Sequence, residues 1–508
     1  MLKWIVGSKA DHPLADLKQV RALIAALAPQ DYLKSLDEIT RWLQWLCEAE
    51  DFKLERLLEV AELLDATAKI HQRKLLRDYL GMSRQQKFHE NKLWLCGFNF
   101  AKALGATYLL CIRAHQKNAA GSNPLRKQVP ALVARALRAI GMQVKWTMLR
   151  YGPFEPRLWC SIGELYRYAE EGGYTAATLQ IYPGAHGGGT VNEEYLKIMM
   201  LWASNVDMLP PIQQEIAERV AAQFAVSCRT EKAPYAGAAY WFDHAAEKPP
   251  GRMLDNAPAG AELHYFGPGD AQSKVLEIAA SMEKTGEVPS SLILSGTYSA
   301  EIVLAVLKHL SVYWSDTPPA RASERRRTSV RITVVPGYSA FLDTLAREAN
   351  DALNFSGTTT ESWVVENVSE SGYGALVPAT AGDWIRVGEL IGIQVEGHTE
   401  WGAGLLRRVM RDEQRQYHVG IEVISRAVVP VKISHGQGGH DAENAMLLSS
   451  QPDSNAEIGV VLRAGRYEPN SPVEVVGRTS SYLFTPARMV DAGDDFDRAI
   501  YTITRQPS

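Results

Sequence analysis

Arg325-Arg326-Arg327-Thr328-Ser329-Val330-Arg331-Ile332-Thr333-Val334-Val335, followed further on by Trp363-Val364-Val365-Glu366-Asn367-Val368-Ser369-Glu370-Ser371-Gly372, decides how this region folds. From Val330 onward the first stretch alternates apolar and polar residues, the period-two pattern of a half-buried strand, and the arginine triplet lies on the loop entering it. The second stretch opens with bulky, β-favouring residues and ends where a strand should turn. There Asn367 and Ser369 offer side-chain hydrogen-bonding groups, and Gly372 permits a positive φ or a close backbone approach. Guanidinium forks suit phosphate and the O6/N7 acceptor edge of guanine, while a short polar turn suits that base's donor edge. Alone, the triplet is a solvated charge run and Asn-x-Ser-x-x-Gly an ordinary turn. As a pair they read as a site for an anionic ligand with a guanine face.

In this order the motifs resemble the signature of the PilZ family of cyclic di-GMP receptors. That signature is Arg-x-x-x-Arg before the first barrel strand and Asp/Asn-x-Ser-x-x-Gly further on, here Arg327-Thr-Ser-Val-Arg331 and Asn367-Val-Ser369-Glu-Ser-Gly372. Later residues keep the family's rhythm: Gly388-Glu-Leu-Ile-Gly-Ile-Gln-Val395, Gly404-Leu-Leu-Arg-Arg-Val409 and Tyr417-His-Val-Gly420-Ile-Glu-Val-Ile424. The resemblance covers residues 324–426 and implies a six-stranded β-barrel that senses cyclic di-GMP, a ligand and not a cofactor, without catalysis. By the same resemblance Arg327 and Arg331 clamp guanine and phosphate, Asn367 and Ser369 hydrogen-bond the ligand's second face, and Gly372 allows the turn. An arginine at the position of Arg326 goes, in that family, with two mutually intercalated ligand molecules. The family's biology implies control of motility, adhesion or exopolysaccharide in a bacterium. One departure is Ser339 to Leu353, whose apolar residues Phe341, Leu342, Leu345 and Ala349 recur at helical spacing. It reads as a helical insertion where a simple barrel has a hairpin, and it leaves the path of the second strand open.

The whole chain is read as a multidomain α+β protein. Its 508 residues, 46% hydrophobic and 22% charged, give ample core for several domains. The net charge of −4, from 54 basic and 58 acidic residues, argues against a general nucleic-acid binder and makes the arginine cluster a local anion site. No stretch reads as a membrane span, and the polar start after Met1-Leu-Lys-Trp-Ile-Val does not read as a secretory signal, so a cytoplasmic protein is expected. The five cysteines show no Cys-x-x-Cys spacing and are expected to be reduced core thiols.

Four regions follow from the patterning. Residues 1–230 read as an all-α domain serving output or docking of an unidentified protein partner, with helix faces Leu17/Val20/Leu23/Ile24/Leu27, Leu36/Ile39/Leu43/Leu46 and Leu158/Trp159/Ile162/Leu165/Tyr166/Ala169. Residues 231–315 read as a small α/β module, 316–426 as the barrel, and 427–508 as a β-rich extension interrupted by a mobile loop over Ser434–Asn455. The segment 315–324, Ser-Asp-Thr-Pro-Pro-Ala-Arg-Ala-Ser-Glu, is expected to have little fixed structure without ligand.

Other chemistry is weaker. The glycine-dense Tyr182-Pro-Gly184-Ala-His-Gly187-Gly188-Gly189-Thr190 lacks the Gly-Lys-Ser/Thr ending of a P-loop and reads as a flexible interhelical connection. His435 and His440 share a loop without a regular element or a nearby cysteine, and no metal site is expected. Asp491, Asp494, Asp495 and Asp497 lack the glycine and terminal glutamate of a calcium loop and read as a solvated acidic turn. Two rivals to the receptor reading are a PilZ-like interaction scaffold that binds no nucleotide and an RNA-binding barrel, the latter lacking the expected basic balance and exposed aromatics beside the arginines.

Overall fold

The computed structural model describes residues 14–49, 52–82, 87–118, 123–182, 188–253, 262–319, 326–349, 360–378, 384–435, 442–449, 456–476 and 481–505. Arg325, the 320–324 part of the junction, His440 and the centre of the glycine-dense stretch lie outside these. The chain forms two compact units, residues 1–206 with 211–320, and residues 207–210 with 321–508.

The first unit opens with helices α1 (Leu17–Ala25), α2 (Tyr32–Glu48), α3 (Leu54–Leu80), α4 (Lys87–Gln116), α5 (Val129–Met148), α6 (Pro156–Glu171), α7 (Val191–Ala203) and α8 (Pro211–Phe224). Local chemistry sets several starts: the Asp31 carboxylate accepts from the Lys34 amide at 3.0 Å, the Thr190 hydroxyl accepts from the Glu193 amide at 3.0 Å, and prolines occupy the first turns of α5 and α6. The expected faces of α2 and α6 are buried throughout. That of α1 is not: only Val20 is fully buried, and Leu23, Ile24 and Leu27 stay half-exposed because α1 is a peripheral helix covered on one narrow side. Among the described residues one helix, α4, is long and apolar enough by length and composition to cross a membrane, which the sequence reading did not register. Phe100, Leu104, Tyr108 and Cys111 along it are each at most 1% exposed, and α2, α3 and α5 surround it, so it is the central helix of the unit. The five cysteines are unpaired, with Cys96, Cys111 and Cys228 buried.

The same unit continues into β1 (Arg229–Glu231), β2 (Tyr240–Asp243), β3 (Gly251–Arg252) and β4 (Leu263–Gly267), an antiparallel sheet in the order β1-β4-β2-β3, and then helices α9 (Ala271–Thr285) and α10 (Ala300–Tyr313).

The second unit is two closed barrels. The first contains β5 (Arg326–Pro336), β6 (Glu361–Ser369), β7 (Gly372–Val377), β8 (Leu390–Val395), β9 (Gly402–Arg411) and β10 (Tyr417–Ser425), closed in the order β10-β7-β6-β5-β8-β9. Helix α11 (Tyr338–Ala349) is the helical insertion, and β6 resumes as the antiparallel partner of β5, which fixes the path of the second strand. The second contains β11 (Val429–His435), β12 (Ala442–Leu447), β13 (Glu457–Arg463), β14 (Val473–Val476), β15 (Ser481–Ala492) and β16 (Phe496–Arg505), closed as β11-β12-β13-β16-β15-β14. Numbered one to six within each barrel, the strands close as 1-2-3-6-5-4 in both, so the extension repeats the connectivity of the first barrel. The loop expected over Ser434–Asn455 contains β12. Its run Ala445-Met446-Leu447 is too short to announce a strand, and it forms one because β11 and β13 supply hydrogen-bonding edges on either side.

Helix α11 joins the two barrels through its apolar face. Tyr338, Phe341 and Leu345 pack with Leu390 and Trp401 of the first barrel and with Val428, Met446, Val461 and Phe496 of the second. The Tyr338 hydroxyl donates to the Asn444 carbonyl at 2.5 Å, and the Tyr338 amide donates to Asp495 Oδ2 at 2.8 Å. Burying Phe341 completely contributes about 1.5–3 kcal/mol.

Candidate ligand-binding site

Strand register decides which motif side chains meet. On β5 and β6, Arg326 faces Val368, Arg327 faces Asn367 and Arg331 faces Val364, with an irregularity between Arg327 and Val330. Ile332, Trp363 and Val365 are buried, so their neighbours Arg331 and Val364 point out of the barrel. Between β6 and β7, Val365 faces Ala375, but Asn367 faces Gly374, one residue out of step. This bulge turns Asn367 outward together with Glu366. The Asn367 amide lies over Gly374 so closely that a Cβ there would fall 2.4 Å from its Oδ1.

The barrel exterior therefore carries Arg327, Arg331 and Asn367 on one face, and Ser369 follows on that face, opposite Gly372. The Ser369 hydroxyl donates to the Gly372 carbonyl at 3.2 Å, which stabilises the turn in its present form. A Cβ at Gly372 would sit 1.9 Å from the Ile421 carbonyl oxygen, so the turn needs glycine for that approach. Arg326, one residue before Arg327, alternates to the opposite side of the strand. All three arginines are exposed, and none has an ion-pair partner among the described residues. Three arginines on one short strand set up a local positive field in a chain that is net acidic.

Carboxylates border this face without neutralising it. Glu366 Oε2 lies 3.5 Å from His418 Nδ1, and Asp412 Oδ2 lies 3.0 Å from His418 Nε2. On the far side Arg407 is held by Glu422 at 2.5 Å and by Asp491 at 2.9 Å, and Arg498 also reaches Asp491 at 2.9 Å. Of the C-terminal aspartates only Asp494 is exposed in a turn, and the other three are engaged by the fold. Asp491 bridges two arginines, Asp495 accepts from Tyr338, and the buried Asp497 accepts from the amides of Arg466 and Tyr467 at 3.0 and 3.2 Å. Apart from Arg498 on the neighbouring strand, their partners lie far away in the sequence, in β9, at the start of α11 and in the turn after β13, which local spacing does not reveal.

One cluster with metal-ligand chemistry escaped the sequence reading. Glu170 on α6 meets His244 and His264 at the small sheet, with donor atoms within 4.8 Å of one another. His264 Nε2 lies 2.9 Å from Glu170 Oε1, and His244 Nε2 lies 2.9 Å from the Tyr195 hydroxyl. The two imidazoles are stacked, 4.0 Å between centroids at 15°. In-plane lone pairs of stacked rings run side by side and do not converge on one ion, so the arrangement fits a hydrogen-bonded polar core better than a metal centre. The described ends of the glycine-dense stretch lie between α6 and α7, where Leu179 and Gly189 form an isolated antiparallel bridge.

Comparison with protein families adds two matches. Residues 18–234 match the model described as the N-terminal domain of the cyclic-di-GMP receptor FimW, and residues 347–430 match that of its middle PilZ domain. The second span contains Asn367, Ser369 and Gly372 and begins after β5, so the arginines lie in the adjoining strand just outside it. No curated protein matches the chain.

Proposed function

Because this chain belongs to the family of PilZ-domain cyclic-di-GMP receptors, we propose that it is itself a cytoplasmic receptor that binds cyclic di-GMP on the exterior of the first barrel and passes the signal to a protein partner. The observation that carries this reading is the register of Arg327 against Asn367, which brings exposed guanidinium groups and a polar amide onto one outward face. In this reading Arg327 and Arg331 take phosphate and the guanine acceptor edge, Asn367 and Ser369 take the donor edge and ribose-phosphate oxygens, and Gly372 keeps the turn tight. Arg326, exposed on the opposite side of the same strand, serves a second ligand molecule at the barrel rim. Recognition of this kind requires no bond to be made or broken, so the role is binding and not catalysis. The output is control of motility, adhesion or exopolysaccharide, with the helical unit as the docking surface for the partner.

Titration calorimetry of the full chain with cyclic di-GMP, cyclic di-AMP, GTP and GMP tests the reading. Adenine presents an N6 donor where guanine presents O6, so an arginine fork loses its acceptor and cyclic di-AMP should bind far more weakly. Equal affinity for the two cyclic dinucleotides refutes the guanine assignment, and no binding of either leaves an interaction scaffold as the reading.

A further inference from the structure

The face that carries Arg327 and Asn367 does not end at β7. Asn367 faces Gly374, Gly374 faces Gly420 on β10, and Gly420 faces Arg408 on β9. One row thus runs Arg327, Asn367, Gly374, Gly420, Arg408 across five adjacent strands. Its two central positions have no side chain. A Cβ at Gly420 would meet the Arg408 Cβ at 3.2 Å, which shows that Arg408 leaves its strand on the same side. With strands about 4.8 Å apart, Arg408 stands roughly 14 Å from the strand of Asn367 across a floor of two glycines, of which Gly374 lies under the Asn367 amide and Gly420 is open up to Arg408. Such a floor accepts a flat heterocycle, and a cation at its far end accepts the anion attached to it.

Arg408 is already engaged, but weakly. Its Nε contacts Asp207 Oδ2 at 2.5 Å, Asp207 being part of the same compact unit. The contact is one-pronged: Asp207 Oδ1 is buried without a hydrogen-bond partner, and the Arg408 side chain remains 49% exposed. A half-exposed, single-pronged ion pair is a poor competitor for a guanidinium that a phosphate can take with two parallel hydrogen bonds.

We propose that Arg408 is a further ligand-contacting residue, the far wall of the cyclic di-GMP site, and that Asp207 occupies it in the free protein and is displaced when ligand binds. This rests on the receptor reading above and deepens it. Binding would then exchange one anion for another at Arg408, so the affinity of the site is set partly by Asp207.

The test is a double-mutant cycle on the full chain, measuring cyclic di-GMP affinity by titration calorimetry for the parent, Arg408→Ala, Asp207→Asn and the double variant. Arg408→Ala should weaken binding roughly ten- to a hundredfold, the loss expected for charge-assisted hydrogen bonds. Asp207→Asn should strengthen it by up to about fivefold, because the ligand no longer displaces a carboxylate. In the Arg408→Ala background Asp207→Asn should have no effect. Near-ultraviolet circular dichroism checks that each variant keeps its tertiary fold, and Arg408→Lys, which keeps the charge on a similar stem, covers the case in which alanine disturbs β9. Parent-like binding by folded Arg408→Ala, or by Arg408→Lys and Asp207→Asn together, overturns this inference and leaves the receptor reading intact. An Asp207→Asn gain that persists without Arg408 refutes the displacement. Absence of binding by the parent overturns the receptor reading itself.

Discussion

Replacing Gly374 with alanine perturbs the candidate site from beneath. Gly374 lies in a strand with Asn367 folded over it, and the new Cβ would fall 2.4 Å from Asn367 Oδ1, 2.7 Å from Nδ2 and 2.8 Å from Cγ. Those separations are far inside van der Waals contact, so one group must move. The amide is the end of a flexible side chain, whereas the Cβ is fixed to the strand, so Asn367 swings away and the barrel stays closed. Loss of one neutral hydrogen bond from Asn367 costs about 1 kcal/mol of binding, or roughly a fivefold rise in Kd. A methyl group standing on the floor adds to this by holding a flat base off the sheet. Gly420→Ala makes the matched comparison: its Cβ meets the Arg408 Cβ at 3.2 Å and the Arg408 nitrogen at 3.9 Å, and the closer contact is relieved by a shift of a few tenths of an ångström. It should leave Asn367 in place and weaken binding only through the added methyl and a small shift of Arg408. Calorimetric titration with cyclic di-GMP, alongside thermal unfolding to show that both variants keep their fold, gives the comparison. Folded Gly374→Ala binding like the parent would show that neither Asn367 nor this floor touches the ligand.

Further expectations follow from the same geometry. Arg327→Ala and Arg331→Ala should each lose charge-assisted hydrogen bonds of about 1.5–3 kcal/mol, and Ser369→Ala about 1 kcal/mol, so parent-like Kd values for both arginine variants would misplace the site. The parent should titrate to two ligands per chain and Arg326→Leu toward one, and a parent end point of one refutes the second ligand. Amide exchange should slow over residues 326–332 on adding cyclic di-GMP, because clamped arginines order the strand they sit on; unchanged exchange there contradicts binding at β5. The first unit should lose stability on mild acidification. Burial above all, then the neighbouring His264 and Arg167, push the fully enclosed His244 imidazole down to about 2. The unfolded chain takes up that proton near pH 6.5 and the folded one does not, so this contribution is intact above pH 6.5 and declines below it. By pH 5 the loss amounts to about 2 kcal/mol. Denaturant titrations from pH 7.5 to 5 should show this slope and His244→Gln should flatten it, while an equal slope in the variant assigns the effect elsewhere.

By itself the sequence determined the parts whose physics is local. Alternation after Val330 marks a strand, the spacing of Phe341, Leu345 and Ala349 marks a helix, and Asn367-x-Ser369-x-x-Gly372 marks a turn, because each depends on neighbours a few residues away. The family followed from two short motifs in the right order, and the N-terminal helices from their periodicity and their prolines. Tertiary structure decided whatever depends on which strands lie side by side. No local signal reports that Asn367 is turned outward by a bulge, nor that Gly374 and Gly420 line up into a floor ending at Arg408, since register is a property of pairing and a one-residue slip reverses every side chain. Barrel closure likewise made a strand of Ala442–Leu447 and turned the β-rich tail into a second barrel of the same connectivity. Asp497 became a buried acceptor, and Glu170 met His264 across 94 residues, because burial leaves a polar group only the partners that the fold brings to it.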